Sequence, residues 1–538
     1  MKKQQTLLLT ILIGLSINSS TAQTWGWMKY PGCDVAWFSG ADGGTGVVVD
    51  QQGDVYNCGY FKNTAYFDSD SVVSAGKKDI YIARYNNAGN LQWLRNFGGD
   101  DDEQGTKIQI DSTGNIYVLC SYQGTFNVGS TTLPAADSTV INQGGFFIVK
   151  LDNAGNIIWV NSYATEDVGF DEGELKVDKS GNIYLFNFFP NSQNTLKKFD
   201  TNGSIMWEQD SLEVESSTIW MGLCLDSIGN IFATGRVMNP SFTAYDSYIA
   251  KVNSSGDIIF KKIFNNTPLS SSGACFNAIT VDHSGNIFLS GNLRGNFTFA
   301  GNTFTSSGLK DLFVAKLDSQ ANAVWGFSGG GSIDENSYAL TIDNANNIIV
   351  QGEYSSRSAI FGNDTLNNSS PTQYNTVILK FSNSGSLQWV ESSGYDTLDD
   401  RVIDMAIDNN NNIYLTGSIE LYGTNNYFGN TLIIANVNNN TNILLTLFNS
   451  TTTTGINNIP FGKAQLKIYP NPITNQFTVF GTQAKGEMVI YNSLGNMIKR
   501  EVTEDQETKI QTSDWTSGIY LVHYTSQNFT ANFKLMKF

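Results

Sequence analysis

Nine carboxylates recur at one point of a repeated pattern, and side chains so placed could hold a cation or a hydroxyl-rich ligand. They are Asp42, Asp102, Glu103, Asp171, Glu172, Asp334, Glu335, Asp399 and Asp400, each six to nine residues ahead of an Asp-led turn. If short strands bring these connections to one mouth of a ring, the acids converge. Ca²⁺ takes about six to eight oxygens of this kind, and polysaccharide cleavage uses two carboxyl groups as acid and base. A repeat-encoded capping position with solvated acids is the competing reading, because 270–275, ahead of the fifth turn, carries no acid. Calcium is thus the one cofactor the sequence suggests.

The Asp-led turns form a second candidate set. Asp, two variable residues, Gly-Asn or a close equivalent, Ile or Val and usually an aromatic recur seven times, beginning at Asp50, Asp111, Asp178, Asp226, Asp282, Asp343 and Asp408. They lack the loop length and terminal Glu of an EF-hand. An Asp that bonds nearby backbone N–H groups explains them as turn formers.

Other chemistry is sparse. His283 and His523 fall in different segments, so no shared metal site or Ser/His/Asp triad follows. Cys33, Cys58, Cys120, Cys224 and Cys275 show no CxxC spacing. Cys120 and Cys224 sit inside apolar strand patterns and read as buried thiols. Gly329-Gly330-Gly331 has neither the following Lys nor the strand–helix context of a phosphate loop. Catalytic residues are therefore not assigned, and the chain reads as non-enzymatic.

A net charge of −17 repels nucleic acid and anionic lipid. Lys2 and Lys3 followed by the apolar Leu7 to Ile17 and small residues at Ser20 and Ala22 describe an export signal over 1–22, cleaved after Ala22 or Gln23. Elsewhere no stretch reaches the ~20 apolar residues of a membrane span.

The elements that position these residues are short strands. The turns stand 48 to 67 residues apart, and each interval holds four strand-like segments, A to D. A–B is the Asp turn. C–D is a second turn, as in Asn87-Ala88-Gly89-Asn90 and Asn153-Ala154-Gly155-Asn156. Just beyond it one large ring recurs on strand D: Trp93, Trp159, Trp207, Phe260, Trp325 and Trp389. One ring per copy suits packing between neighbouring sheets better than a row of sugar platforms. Arg84, Lys150, Lys198, Lys251, Lys316 and Lys380 end strand C and read as solvated or locally paired.

Four antiparallel strands per copy, repeated seven times, predict a seven-bladed β-propeller. Thr24 to Lys29, a D-like strand with Trp25 and Trp27, and Asn442 to Phe448 compete to complete the last blade. Alternation puts the Asp turns on one face. The acids and the long B–C connections, such as Gly124 to Gly145 and Ser356 to Gln373, fall on the other, where binding is expected.

The phrase Asp-x-x-Gly-Asn-Ile-Tyr with Ile148-Val149-Lys150-Leu151-Asp152 and Phe313-Val314-Ala315-Lys316-Leu317-Asp318 resembles SBBP-type β-propeller repeats of bacterial secreted proteins. The likeness spans 24–449 and implies a fold and export, but no activity. After a linker, 450–464, a new module occupies 465–538. Its marks are Tyr469-Pro470-Asn471-Pro472, Leu494-Gly495, Ser517-Gly518 with Tyr520, and Lys534 with Lys537. Alternating strands between these turns indicate a small immunoglobulin-like β-sandwich. The motifs closely resemble the type A C-terminal sorting domain of type IX secretion cargo. That resemblance implies the type IX machinery as partner, passage across the outer membrane, and removal of the domain on release or anchoring.

The sequence therefore leads to an exported, non-catalytic propeller that binds a polymer, glycan or protein through its loop face. A polysaccharide-cleaving propeller and a structural envelope or matrix protein are the alternatives.

Overall fold

The computed structural model describes residues 22–33, 42–134, 144–163, 173–187, 195–210, 218–238, 245–264, 273–368, 370, 373–393, 400–421, 426–428, 431–433, 440–452, 467–469, 475–480, 486–492, 496–503, 507–525 and 530–537. The export signal over 1–22 lies, but for Ala22, outside them. One compact unit spans Gln23–Thr451; the residues from Thr452 onward belong to another.

The larger unit is all β. Asp111 shows why its turns form. Its Oδ1 accepts the N–H groups of Thr113 and Asn115, and its Oδ2 accepts the Asn115 amide and the Tyr117 hydroxyl. Gly114 takes φ +85°, open to glycine at little cost. Each letter of the repeated phrase thus has a task within its own hairpin.

Among the described residues, seven antiparallel sheets share one strand order. The second blade is typical: Glu103–Ile110, Ile116–Gln123, Gly144–Leu151 and Ile157–Tyr163, from inside outward. The innermost strands are neighbours in a closed cycle. Gly43–Val49 touches Glu103–Ile110, and contact passes through Gly173–Val177, Thr218–Leu225, Gly273–Val281 and Glu335–Ile342 to Asp400–Ile407, which returns to Gly43–Val49. This cycle of radial sheets is a β-propeller.

The last blade is built from both ends of the unit. Asn440–Thr452 pairs with Asn412–Leu421 as the third strand, and Ala22–Lys29 pairs outside it as the fourth. The expectation that Asn442 to Phe448 is a D candidate is corrected: it is strand C, and the N-terminal strand closes the ring.

The strand-D rings fasten each blade to the next. Trp93 Nε1–H donates to the C=O of Asn153 at 3.0 Å, Trp159 to Thr201 at 3.1 Å, Trp207 to Ser254 at 3.2 Å and Trp325 to Asn383 at 3.2 Å. Trp27, on the closing strand, donates to Asn87 of the first blade at 3.0 Å. Each acceptor lies in the C–D turn of the following blade. The turn glycine lets the indole approach: a Cβ on Gly155 would meet the Trp93 ring at 3.0 Å, and one on Gly385 the Trp325 ring at 2.7 Å. The turn that follows Phe260, a smaller ring, carries Ala321 in place of glycine, at φ +62°.

Of the two readings of the basic series, local pairing is the one seen, as where Arg84 meets Asp54 at 2.7 Å. Lys150, Lys198 and Lys316 are buried, and each donates to the turn carbonyl that also accepts the indole. The seventh blade has no such turn, because its outer strand comes from the other end of the unit. Lys380, facing that blade, pairs instead with Asp343 at 2.7 Å.

The B–C connections also differ from open loops. Phe126–Val128 with Thr131–Leu133, Asn296–Phe299 with Asn302–Thr305, and Ser358–Phe361 with Asp364–Asn367 are small hairpins. They bury Phe126, Val128, Phe297, Phe299 and Phe361. The signal was in the sequence as an alternating apolar pair ahead of a tight turn.

The C-terminal unit packs Lys467–Tyr469, Gln476–Phe480 and Glu507–Gln511 as one sheet. Met497–Thr503, Gly486–Asn492, Gly518–Thr525 and Thr530–Lys537 form another, around Phe477, Met488, Ile490 and Tyr524.

Candidate functional site: the loop-face mouth of the ring

Among the described acids, Asp42, Glu103, Glu335 and Asp400 are buried. Glu103 and Glu335 open their inner strands fully buried, and each accepts the N–H four residues earlier, Gly99 and Gly331, at 2.7 Å. Glu335 Oε1 also accepts the Ser356 N–H. They share the seams between blades with buried Asp79 and Asp311, which accept the N–H groups of Ala75 and Ser307. A Cβ on Gly330 would lie 2.5 Å from Glu335 Oε2 and 2.8 Å from Asp311 Cγ, so the loop is moulded around the two carboxyls. Burial, then the neighbouring charges of Asp79, Asp101 and Asp102, push Glu103 up to about 7; burial raises Glu335 as well.

Asp42 is buried and accepts the Lys62 N–H at 2.8 Å. Asp400 is buried, while Asp102 and Asp334 are half-buried. Asp171, Glu172 and Asp399 lie outside the described residues. No group of three potential metal ligands occurs among the described residues. The acids the structure describes in detail thus brace loops at the seams. A capping position is what their bonds describe, though burial replaces the solvation expected of it.

His283 is exposed in its turn, and the His523 ring meets Thr525 Oγ1 at 3.1 Å in the other unit. Cys58, Cys120 and Cys224 are buried free thiols, and Cys275 is a half-buried one.

Deep in the ring, side chains that the repeat pattern did not single out come together. Lys107 pairs with Glu174 at 3.2 Å, and Glu174 with Lys176 at 2.9 Å. Burial raises the Asp404 carboxyl above the usual aspartate range, opposed by the charges of Lys107 and Lys176 and by the Val47 N–H it accepts at 2.9 Å. Glu174 raises the Lys107 ammonium above the ordinary lysine value. Burial opposes ionisation of Glu174, but the two ammonium groups outweigh it and hold its carboxyl low. The two ammonium groups are engaged by Glu174, so this tract is largely self-satisfied.

One residue nearer the loop face along the inner strands, the lining is different. Six inner strands carry a β-bulge at the same position, which re-aims one side chain: Thr45, Thr106, Met221, Asn277, Tyr338 and Ile403. The polar members are satisfied within the protein, as Thr45 donates to Gly105 C=O, Thr106 to Leu119 C=O and Asn277 to Ser337 C=O. The large apolar members stay open: Met221 is 37%, Tyr338 38% and Ile403 40% exposed.

Where the sixth and seventh blades meet, these side chains join a cluster. Tyr338 Oη donates to Glu353 Oε1 at 2.5 Å. The Arg401 guanidinium lies 4.9 Å from the centroid of the Tyr374 ring. Burial and the Glu353 carboxylate keep the Tyr338 phenol protonated, with Arg401 and Tyr374 close enough to act on it. Sequence reasoning missed all four, because they belong to positions where the repeat dictates no residue type. The B-strand position of Glu353 is held by Tyr60, Ser121, Arg236, Asn292 and Ser418 in five other blades.

On the turn face a cleft of about 640 Å³ lies among the first three blades, lined by Gln51, Gln52, Ser112, Thr113, Lys179 and the Asp turns themselves. Ser112 Oγ donates to Lys179 C=O at 2.6 Å, tying two turns together.

In the C-terminal unit, Tyr520 is buried and donates to Thr516 C=O at 2.7 Å, with Trp515 packed 4.7 Å from its ring. Tyr469 ends its strand, Ser517 is exposed ahead of the strand that Gly518 begins, and Lys534 and Lys537 lie on the last strand, where Lys537 is buried. Pro470, Asn471, Pro472, Leu494 and Gly495 lie outside the described residues.

Residues 467–537 match the family described as the secretion system C-terminal sorting domain. Over 462 residues the chain is 22% identical to an uncharacterised WD repeat-containing protein of Acanthamoeba polyphaga mimivirus, covering 67% of this chain and 32% of that protein. The chain thus spans about a third of the length of the curated relative it matches. Among solved structures, PorZ of Porphyromonas gingivalis, described as a surface component of the type IX secretion system, aligns over 92% of this chain and 81% of its own, at 12% identity and a TM-score of 0.25. The propeller domain of the Pyrococcus furiosus Trilobed protease aligns over 74% and 96%, at 10% identity and a TM-score of 0.39. Among the described residues no helix is long and apolar enough to cross a membrane. The chain ends in a secretion system C-terminal sorting domain and is an exported β-propeller protein, delivered by type IX secretion to the cell surface or beyond it.

Proposed function

We propose that this exported propeller is a non-catalytic binding protein that takes a polymer, glycan or protein at the loop-face mouth of its ring. The observation that supports this reading is the contrast between two kinds of repeated position. Turns and latches keep one chemistry from blade to blade. The strand-B position nearer the loop face sits on equally regular backbone yet carries Tyr60, Ser121, Arg236, Asn292, Glu353 and Ser418, of which Ser121 and Glu353 are buried. A fixed scaffold carrying side chains free to differ is how binding surfaces are built on rigid folds.

The buried acids favour binding over cleavage. Glu103 and Glu335 are occupied with backbone N–H groups, and a general acid must reach its substrate. The experiment is a screen of the full chain against glycans, cell-envelope polymers and envelope proteins, with hydrogen exchange to locate any bound partner. Protection of the loop-face ends of the inner strands is expected. Protection confined to the Asp50 and Asp111 turns would move the site to the other face, and turnover of a bound polymer would make the protein an enzyme.

A further inference from the structure

We infer that the seam between the sixth and seventh blades is a saccharide subsite, built to seat one pyranose of a neutral glycan against Tyr338 and Ile403, with Arg401 at its edge. This rests on the loop-face reading and narrows it to one place and one chemistry.

A pyranose presents an apolar C–H face and a rim of hydroxyls. Its site needs a flat or aliphatic surface beside planar polar groups held in fixed positions. The seam supplies both. Tyr338 and Ile403 occupy the bulge positions of adjacent inner strands, at the same level of the ring, and remain 38% and 40% exposed. Such exposure is unusual for large side chains on the innermost strands of a propeller whose neighbouring strands are buried throughout.

The polar partners are pre-positioned. The hydrogen bond to Glu353 holds the Tyr338 ring, and the Arg401 guanidinium lies over the Tyr374 ring, 4.9 Å from its centroid. Groups already held in place lose little rotamer freedom on binding. On the adjacent seam Asn292 and Asn336 are linked amide to amide at 3.1 Å, extending the planar polar rim. A neutral sugar fits better than an acidic one, because the chain carries −17 overall and Glu353 adds a carboxylate to the site itself.

Neither other candidate offers this pairing. In the charge tract of Lys107, Glu174, Lys176 and Asp404 both ammonium groups are engaged by Glu174, and the turn-face cleft is lined by residues already engaged in turn formation.

The test is calorimetric titration of the full chain with neutral gluco-, galacto-, manno-, xylo- and N-acetylglucosamine oligosaccharides, and with an oligo-uronate as the charged counterpart. Saturable binding of at least one neutral oligosaccharide is expected. Tyr338→Ala should weaken it about tenfold or more and Arg401→Ala about threefold or more, while Tyr338→Phe, which keeps the ring, loses less. Gln52→Ala on the turn face should leave it unchanged, and thermal melting checks that each variant is folded. Binding of the uronate alone, binding of a protein but no neutral saccharide, or neutral-sugar binding unaffected by Tyr338→Ala would overturn the inference and leave the loop-face reading standing. Equal loss in Gln52→Ala would overturn both.

Discussion

Removing the Trp27 indole should loosen the ring at its closure. Trp27 donates to Asn87 C=O at 3.0 Å, packs near Tyr85 and Tyr414 with ring centroids 6.3 and 6.1 Å away, and lies against Gly89. Truncating a fully buried Trp costs about 3–5 kcal/mol. Trp27 is half-buried, so roughly 2 kcal/mol of packing is at stake, plus about 1 kcal/mol for the hydrogen bond. Trp27→Ala should therefore cost about 3 kcal/mol and Trp27→Phe about 1. An unfolding entropy of about 2.1 cal/mol/K per residue gives roughly 0.9 kcal/mol/K over Gln23–Thr451, so the melting temperature should fall about 3 °C and 1 °C. Such shifts are small for a large unit, and hydrogen exchange is the sharper assay. Asn440–Thr452 should lose protection first in Trp27→Ala, since Ala22–Lys29 is its outer partner, while Gly144–Leu151 keeps its own. Unchanged exchange in Asn440–Thr452 would refute closure by the N-terminal strand.

Gly385→Ala should destabilise by about 2 kcal/mol or more, because φ is +91° and the new methyl would meet the Trp325 ring at 2.7 Å; thermal melting checks this. Glu103→Gln should raise the melting temperature at pH 8 but hardly at pH 4. The folded carboxyl binds its proton up to about 7 against an ordinary 4.5, so its contribution to stability is complete below the lower value and is lost as pH rises through the upper. The difference at pH 8 should be on the order of 1–3 kcal/mol, and equal effects at both pH values would count against it. Asp111→Ala should cost about 1–2 kcal/mol near neutrality. Burial opposes ionisation of Asp111, but bonds from Thr113 and Asn115 hold its carboxyl below the usual aspartate range. The wild-type advantage should therefore fade as pH falls through that lowered value, read as converging melting temperatures. Deleting 465–538 should leave the propeller in the periplasm; surface delivery of the truncated chain, followed by cell fractionation, would refute the assignment of the sorting signal.

The sequence by itself determined what depends on neighbours along the chain. Asp111 to Tyr117 encodes its hairpin completely, because every bond it makes falls within six residues. The ring on strand D recurs, and the glycine that receives it recurs in five turns, so packing from blade to blade was legible too. The sorting module was legible because its marks are short runs of sequence, and residues 467–537 match the sorting-domain family.

Only the tertiary structure decided what depends on closure and on side-chain direction. Asn442 to Phe448 and Thr24 to Lys29 both read as candidates for the outer strand, and only pairing between the two ends of the unit decided between them. Glu103 and Glu335 read as mouth acids, yet their loops fold back and offer them backbone N–H groups inside the seams. Tyr338, Glu353, Tyr374 and Arg401 gave no signal at all. A bulge turns one of them toward the mouth, and closing the ring brings the sixth and seventh blades together. Local chemistry repeats, so it can be read from one copy. A site shared between copies exists only once the ring has formed.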